Sequence, residues 1–354
     1  MSQLNTRREF LQLSGALALG GALPLSSSDA ALAQELATLR ATHFGGPYQV
    51  LRDIIGQPFE QARLGRVVYE VETGPTAVAK LQAQKDEPPF DVVMISRSFA
   101  LRALNSGLLE KLNPAEIPEM AALKPGSAAP SGSGVALMLD AMQLMIDTKQ
   151  IKEPLTSWLD LWRPELKGKI MLPAAFNGGA TIPFIGCIAR AVGGDEKSEA
   201  AVNEAFARLK ALKPNVRGFF TDGNQPTEVI QRGDIAVAAQ FAIRIANITR
   251  STPHIVSVTP KEGACAVPYD LCIVAGAKQP KLAKTYINYT LGETVQGKLV
   301  QNLFATPSRS NVAISPEFQP LVISDASKIF FMDEEYTAGK QREWLDRYTR
   351  EVQS

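Results

Sequence analysis

Hydrophobic positions alternate between a two-residue and a 3.6-residue period along most of the chain. Glu35 to Thr42 reads as a first strand, and Gln49 to Ala62 as a helix with Val50, Ile54, Ile55 and Phe59 on one side. Val67 to Val71 is a second strand, Pro75 to Gln84 a helix carrying Val78 and Leu81, and Phe90 to Ile95 a buried strand that stops at Ser96-Arg97-Ser98. Between Leu123 and Gly134 the chain turns to Pro, Gly, Ser and Ala, which marks a connection. Val135 to Ile146 then reads as one long strand, whose Met138, Met142 and Met145 are expected to fill core.

The second half repeats the pattern. Trp158, Leu159, Leu161 and Trp162 give one apolar face of a short helix that Ser157 could cap; Pro164 stops it, Gly168 turns, and Lys169 to Leu172 is a strand closed by Pro173. A small-residue loop, Ala174 to Thr181, leads to a helix over Ile182 to Val192. Glu199 to Leu212 is amphipathic, with Val202, Phe206 and Leu209 inward. A helix to Gln231, a strand ending at Phe241, further strands over 255–263 and 268–278, and a closing helix over Glu335 to Val352 complete the reading. Such alternation predicts an α/β fold, with mostly parallel sheets flanked by helices. In these sheets ligands bind beyond the carboxyl ends of the strands. The segment His43-Phe44-Gly45-Gly46-Pro47-Tyr48 and the Ser96–Ser98 turn are therefore candidate ligand contacts, and the glycine pair lets backbone approach a ligand closely.

Composition narrows the function. With 354 residues the chain has room for two domains, and its 37 basic and 36 acidic side chains leave a net charge of +1. No block of like charge offers a surface for nucleic acid or an anionic membrane. Residues 1–33 read as a twin-arginine export signal. Arg7-Arg8 precedes an apolar run from Leu13 to Leu25, and Ala31-Leu32-Ala33 suits cleavage after Ala33. Gly15, Gly20, Gly21 and Pro24 interrupt that run, which falls short of the ~20 residues that span a bilayer. The expected compartment is the periplasm, without stable membrane insertion. Cys187, Cys265 and Cys272, with His43 and His254, have no metal-ligand spacing, and no cofactor is expected. The cysteines are read as buried free thiols, with a Cys265–Cys272 disulfide as the alternative.

Several stretches carry a family resemblance. Trp158-Leu-Asp-Leu-Trp162 with Pro164 and Lys167-Gly-Lys169 fits a W-x-D-L-W-x-P-x-x-K-G-K segment. Thr42-His-Phe-Gly-Gly-Pro-Tyr48, Pro58-Phe-Glu60, Ala79-Lys-Leu-Gln-Ala-Gln84 and Phe90-Asp-Val-Val93 follow in the family's order, and Pro260-Lys-Glu-Gly-Ala264 and Gly276-Ala-Lys-Gln-Pro280 through Leu291 stand almost whole. The chain thus resembles the bacterial extracellular solute-binding proteins of ABC transporters, the type II group that contains the polyamine-binding proteins. That resemblance implies two lobes joined by a two-strand hinge, lobe 1 over 34–134 and 268–310 and lobe 2 over 135–267 and 311–354 with the C-terminal helix. It also implies a monomer that captures a small solute by hinge closure and delivers it to a membrane permease and its ATPase. By the same resemblance Gln240, Phe241 and Arg244 border the cleft, although Arg244 reads equally well as a solvated helix residue, and Thr306 lies on a loop near it.

Polyamine-binding relatives hold ammonium groups with carboxylates and stack the alkyl chain on aromatic rings. Here Ala174 and Ala175 stand where those relatives are acidic. In P-K-E-G-A-x-x-W-x-D the last two positions fall on Val267 and Tyr269, so Asp270 comes one residue late and points to the opposite face unless a bulge compensates. Arg97 and Arg244 remain for a carboxylate or phosphate. The expected ligand is a small anionic or zwitterionic solute, and a polyamine held by Asp222 and Asp270 is the alternative. Asn177 and Thr181, on the small-residue loop, complete the candidate set. An exported enzyme on the same framework would need a base beside a nucleophile; His43 is a candidate base, but no nucleophile pairs with it.

Overall fold

A computed structural model describes residues 36–354 except Pro320, Ser324 and Asp325. The expected leader and its cleavage site lie outside the described residues. Strand β1 (Thr38–His43) pairs in parallel with β2 (Arg66–Val71) and β3 (Val92–Ser96). Then comes β4 (Val135–Asp147), thirteen residues buried throughout. Strand β5 (Ile170–Pro173) pairs in parallel with β6 (Val216–Phe220) and β7 (Val237–Phe241). The remaining strands are β8 (Ile255–Val258), β9 (Ala264–Ile273), β10 (Thr306–Pro307) and β11 (Ile329–Phe330).

The order β2-β1-β3-β9-β4-β7-β5-β6 shows how the two parallel groups are joined. β9 runs antiparallel to β3 on one side and to β4 on the other. β4 gives Val135 to Ala141 to β9 and Met142 to Ile146 to β7, so these two long strands carry the chain between the groups. The mostly apolar length of β4 makes this possible, because a strand buried on both faces reads as a near-continuous hydrophobic run. Met138, Met142 and Met145 are all buried core. The polar residues of β4 therefore stand out, Asp140 above all.

The helices differ from the sequence expectations in instructive ways. Gln49 to Ala62 is not one α-helix but a 3-10 turn (Gly46–Val50), a π turn (Arg52–Gly56) and an α turn (Gln57–Gln61). Pro47 and Pro58 lack the N–H that a continuous ladder needs. Trp158–Trp162 is a single 3-10 turn, fixed by a capping box between Ser157 and Asp160. It anchors Trp158, whose indole donates to the Gly263 carbonyl at 2.9 Å. The helix Gly178–Ala191 starts four residues before the expected Ile182. A Cβ on Gly178 would come within 3.0 Å of Gln341 and Leu345, so this residue, read as loop, is small because another helix presses on it. That helix is Glu334–Tyr348, which packs against both Arg97–Asn105 and Gly178–Ala191.

All three cysteines are free and buried. Cys265 and Cys272 lie seven residues apart on β9, which at about 3.3 Å per residue separates them by roughly 23 Å. A disulfide needs Cα atoms within about 7 Å, so that pairing is ruled out.

Candidate functional site

The carboxyl ends of β1, β2, β3, β5, β6 and β7 meet around one cavity. Its lining includes Phe44 and Tyr48 after β1, Thr73-Gly74-Pro75 after β2, and Ser96 and Phe99 around the end of β3. Asn177 and Gly179 follow β5, Phe220 to Gly223 end and follow β6, and Gln240, Phe241 and Arg244 end and follow β7. Tyr269 reaches in from the crossing strand β9. The cavity encloses about 690 Å³ of space outside the atoms, part of it open solvent. Its two walls nearly touch, since a Cβ on Gly46 would come within 2.7 Å of the Asn224 side chain and 3.1 Å of Arg244. Gly46 has φ +55°, a conformation that favours glycine.

One wall is aromatic. Phe44, Tyr48 and Tyr269 meet edge to face with ring centroids 4.9–5.9 Å apart, and Phe241 joins Tyr269 at 6.1 Å. The main positive charge at the lining is Arg244, whose guanidinium sits 5.5 Å from the centroid of the Tyr48 ring. Its Nη1 donates to Asn224 Oδ1 at 2.6 Å, and among the described residues it makes no ion pair. Gln240 is locked, donating to the Gly223 carbonyl at 2.8 Å and accepting from the Phe241 N–H at 2.8 Å. Asp222 is exposed at the mouth and accepts from the Asn224 N–H at 2.7 Å.

Nine of the fifteen residues singled out from sequence line this cavity: Phe44, Tyr48, Ser96, Asn177, Asp222, Gln240, Phe241, Arg244 and Tyr269. Six do not. His43 is buried and its Nδ1 accepts from the Gly45 N–H at 2.9 Å, so it shapes the loop; burial lowers its pKa, in keeping with a neutral acceptor. Gly46 stands behind Asn224 and Arg244. Thr181 donates its hydroxyl to the Ala174 carbonyl at 2.6 Å, holding the turn into the helix. Thr306 belongs to β10, which pairs with Leu139 and Met138 of β4.

Arg97 and Asp270 form a bidentate pair at 2.9 and 3.0 Å, both buried. Arg97 also donates to the carbonyls of Gly126 and Ser127 and lies 3.4 Å from Glu334. The geometry thus makes Arg97 a buried structural cation rather than an anchor in this cavity. Asp270 is directed away from it, as expected for the residue after Tyr269 on an extended strand. The irregularity in register falls on the β4 side, between Ala136 and Met138, and does not turn Asp270 round.

Sequence reasoning missed Thr73-Gly74-Pro75, Phe99, Gly179, Phe220, Thr221 and Gly223. Applying the strand-end rule to β2 and β6 would have found most of them. It also missed Asp140, behind the aromatic wall. Asp140 Oδ1 accepts from the N–H groups of Ala141 at 2.8 Å and Ile243 at 3.1 Å, and Oδ2 faces the hydroxyls of Tyr269 at 3.3 Å and Tyr48 at 3.4 Å. Burial raises its pKa to about 6, against the pull of those amides and of Arg244. A single acid within the mostly apolar run Val135 to Ile146 was the available signal.

Two parallel sheet groups joined by two long strands, with strand ends converging on one cavity, define a two-lobed α/β binding fold of type II. Residues 55–326 match the bacterial extracellular solute-binding protein family, and the chain belongs to it. It is 29% identical over 243 residues to spermidine/putrescine-binding periplasmic protein 1 of Haemophilus influenzae, covering 66% of this chain and 65% of that protein. It is 28% identical over 272 residues to the gamma-aminobutyric acid-binding protein of Pseudomonas aeruginosa, covering 75% of each. Among solved structures, the glucopine complex of the periplasmic binding protein MotA from A. tumefaciens B6 superposes with a TM-score of 0.76 at 18% identity, over 90% of this chain and 100% of that one. The family and its structural neighbours are solute-binding transport proteins. Among the described residues no cluster suited to a metal ion occurs, and no helix is long and apolar enough to cross a membrane.

Proposed function

We propose that this protein is the periplasmic solute-binding component of an ABC import system and captures a small solute bearing an anionic group, preferably a zwitterion. The observation that carries the ligand class is Arg244, a cation at the cavity lining with no ion-pair partner among the described residues. A carboxylate, phosphonate or phosphate is its natural complement. The aromatic wall takes an aliphatic chain, and Asp222 at the mouth takes an ammonium group. The gamma-aminobutyric acid-binding relative fits this class.

In this reading residues 1–33 direct twin-arginine export with cleavage after Ala33. Lobe 1 comprises 34–134 and 268–310, and lobe 2 comprises 135–267 and 311–354. The monomer closes on its ligand by bending where β4 and β9 cross, and the closed shape is what the permease and its ATPase recognise. Only a ligand that touches both walls favours closure.

A second reading, a polyamine ligand, is favoured by the aromatic wall and the spermidine/putrescine-binding relatives. Arg244 opposes it, because an unpaired guanidinium repels a polycation. Thermal unfolding of the mature protein against 4-aminobutyrate, 2-aminoethylphosphonate, glutarate, putrescine and spermidine separates the two. A ligand at about 100 times its Kd stabilises by about 2.7 kcal/mol, which moves the midpoint by several degrees. The expected shift is with the zwitterions and is lost in Arg244→Gln. A shift with putrescine or spermidine alone would overturn the anionic reading.

A further inference from the structure

Asp140 is 2% exposed and touches three parts of the cleft at once. Through Tyr48 it meets the segment after β1, through Tyr269 the crossing strand β9, and through the Ile243 N–H the first turn of the helix Ala242–Ser251, one residue before Arg244. The rings of Tyr48 and Tyr269 line the cavity, while their hydroxyls face away from it toward this carboxyl group. The titratable and charged groups facing Asp140 are thus Tyr48, Tyr269 and Arg244, and Arg244 is the one cation among them. Burial drives the two hydroxyls well above the usual tyrosine range, so they stay neutral and cannot compensate Arg244.

We propose that Asp140 is a specificity-determining residue, an internal counter-charge behind the tyrosine wall that sets how much negative charge Arg244 accepts from a ligand. This rests on the reading of Arg244 as the ligand anchor. With Asp140 ionised, part of the Arg244 charge is offset and the cavity suits a solute that is neutral overall, a zwitterion whose own cation lies toward Asp222. With Asp140 protonated, Arg244 loses that offset and the cavity prefers a solute with more negative charge. Because the effect passes through a low-dielectric wall, it is screened less by salt than a surface charge would be. By linkage, an anion bound at Arg244 favours proton uptake by Asp140, and a proton on Asp140 favours the anion by the same factor. Asp140 does not touch the ligand in this scheme.

Two measurements test this. In the first, affinities for 4-aminobutyrate and for glutarate, of similar length but different charge, are measured by calorimetry at pH 7.5 for the wild type and Asp140→Asn. The amide can keep the contacts to Ala141, Ile243 and both hydroxyls, so the expected result is a roughly tenfold shift of the affinity ratio toward glutarate. An unchanged ratio overturns the proposal. The second needs no ligand and no D140N protein: in the protein labelled with carboxyl-¹³C aspartate, the titration of the Asp140 carboxyl is followed in the wild type and in Arg244→Gln. Removing the cation is expected to raise its midpoint, and an unmoved midpoint overturns the counter-charge. Should no probe bind the wild type, the ligand reading fails alone, and the titration still decides whether Asp140 and Arg244 are coupled.

Discussion

Two arginines, Arg97 and Arg244, follow the ends of β3 and β7 in much the same way, yet they live in different electrostatic worlds. Arg97 is surrounded by a bidentate carboxylate, two carbonyls and Glu334. Arg244 has an amide oxygen and an aromatic face. A buried cation must be compensated, and the first is compensated from within the fold. The second has no ion-pair partner among the described residues. The difference shows that position at a strand end locates a site, whereas the partner on the neighbouring strand decides whether a charge belongs to it.

The largest effect is expected where the internal pair is broken. Asp270→Asn leaves the Arg97 guanidinium buried against a neutral amide, and such a loss costs about 3–5 kcal/mol. Glu334 at 3.4 Å recovers part of this, which places the expectation at the lower end. Arg244→Gln, by contrast, removes a half-buried cation without an ion-pair partner and should change stability by less than about 1 kcal/mol. Urea unfolding of both variants measures the contrast. Equal losses would erase the distinction between the two arginines.

A smaller effect sharpens the role of Glu334. Burial raises its pKa to about 7, aided by the nearby charges of Asp270 and Asp333 and opposed by Arg97. A carboxyl group with a raised folded-state pKa contributes stability that is complete below its ordinary value of 4.5 and is lost as the pH climbs through 7. Glu334→Gln should therefore be more stable relative to the wild type at pH 8 than at pH 5, by about 1–3 kcal/mol. Unfolding midpoints of both proteins at the two pH values test the sign. A relative loss at pH 8 would mean that the attraction to Arg97 outweighs burial.

The sequence carried most of the fold because periodicity is a local property. The strand starting at Val135, the core methionines and the capped turn at Trp158 were all legible from spacing and composition. What spacing could not supply was contact between distant segments. Arg97 and Asp270 are 173 residues apart, so no local pattern announces that they neutralise each other. Gly178 looked like loop because the helix Glu334–Tyr348 that demands its smallness lies far along the chain. The Asp270 offset was readable, since alternation along a strand sends adjacent residues to opposite faces. Asp140 was visible as a charge in an apolar run, but its meaning needed the two tyrosines and Ile243 beside it.

The smallest expected effect tests that last contact. The hydroxyl of Tyr269 lies 3.3 Å from Asp140 Oδ2, long for an O–H···O bond, so Tyr269→Phe should cost only about 0.5 kcal/mol of stability. The ring remains, and with it the edge-to-face contacts to Phe44 and Tyr48, so ligand affinity should change less than about threefold. The hydroxyl nonetheless favours the ionised carboxylate, though less than Arg244 does. The titration midpoint of Asp140 should therefore rise in Tyr269→Phe by less than it does in Arg244→Gln. Carboxyl-¹³C titration of the two variants side by side measures that order. The reverse order would make the tyrosine, rather than the arginine, the principal partner of the buried acid, and the charge of the cleft would then be set locally between β4 and β9.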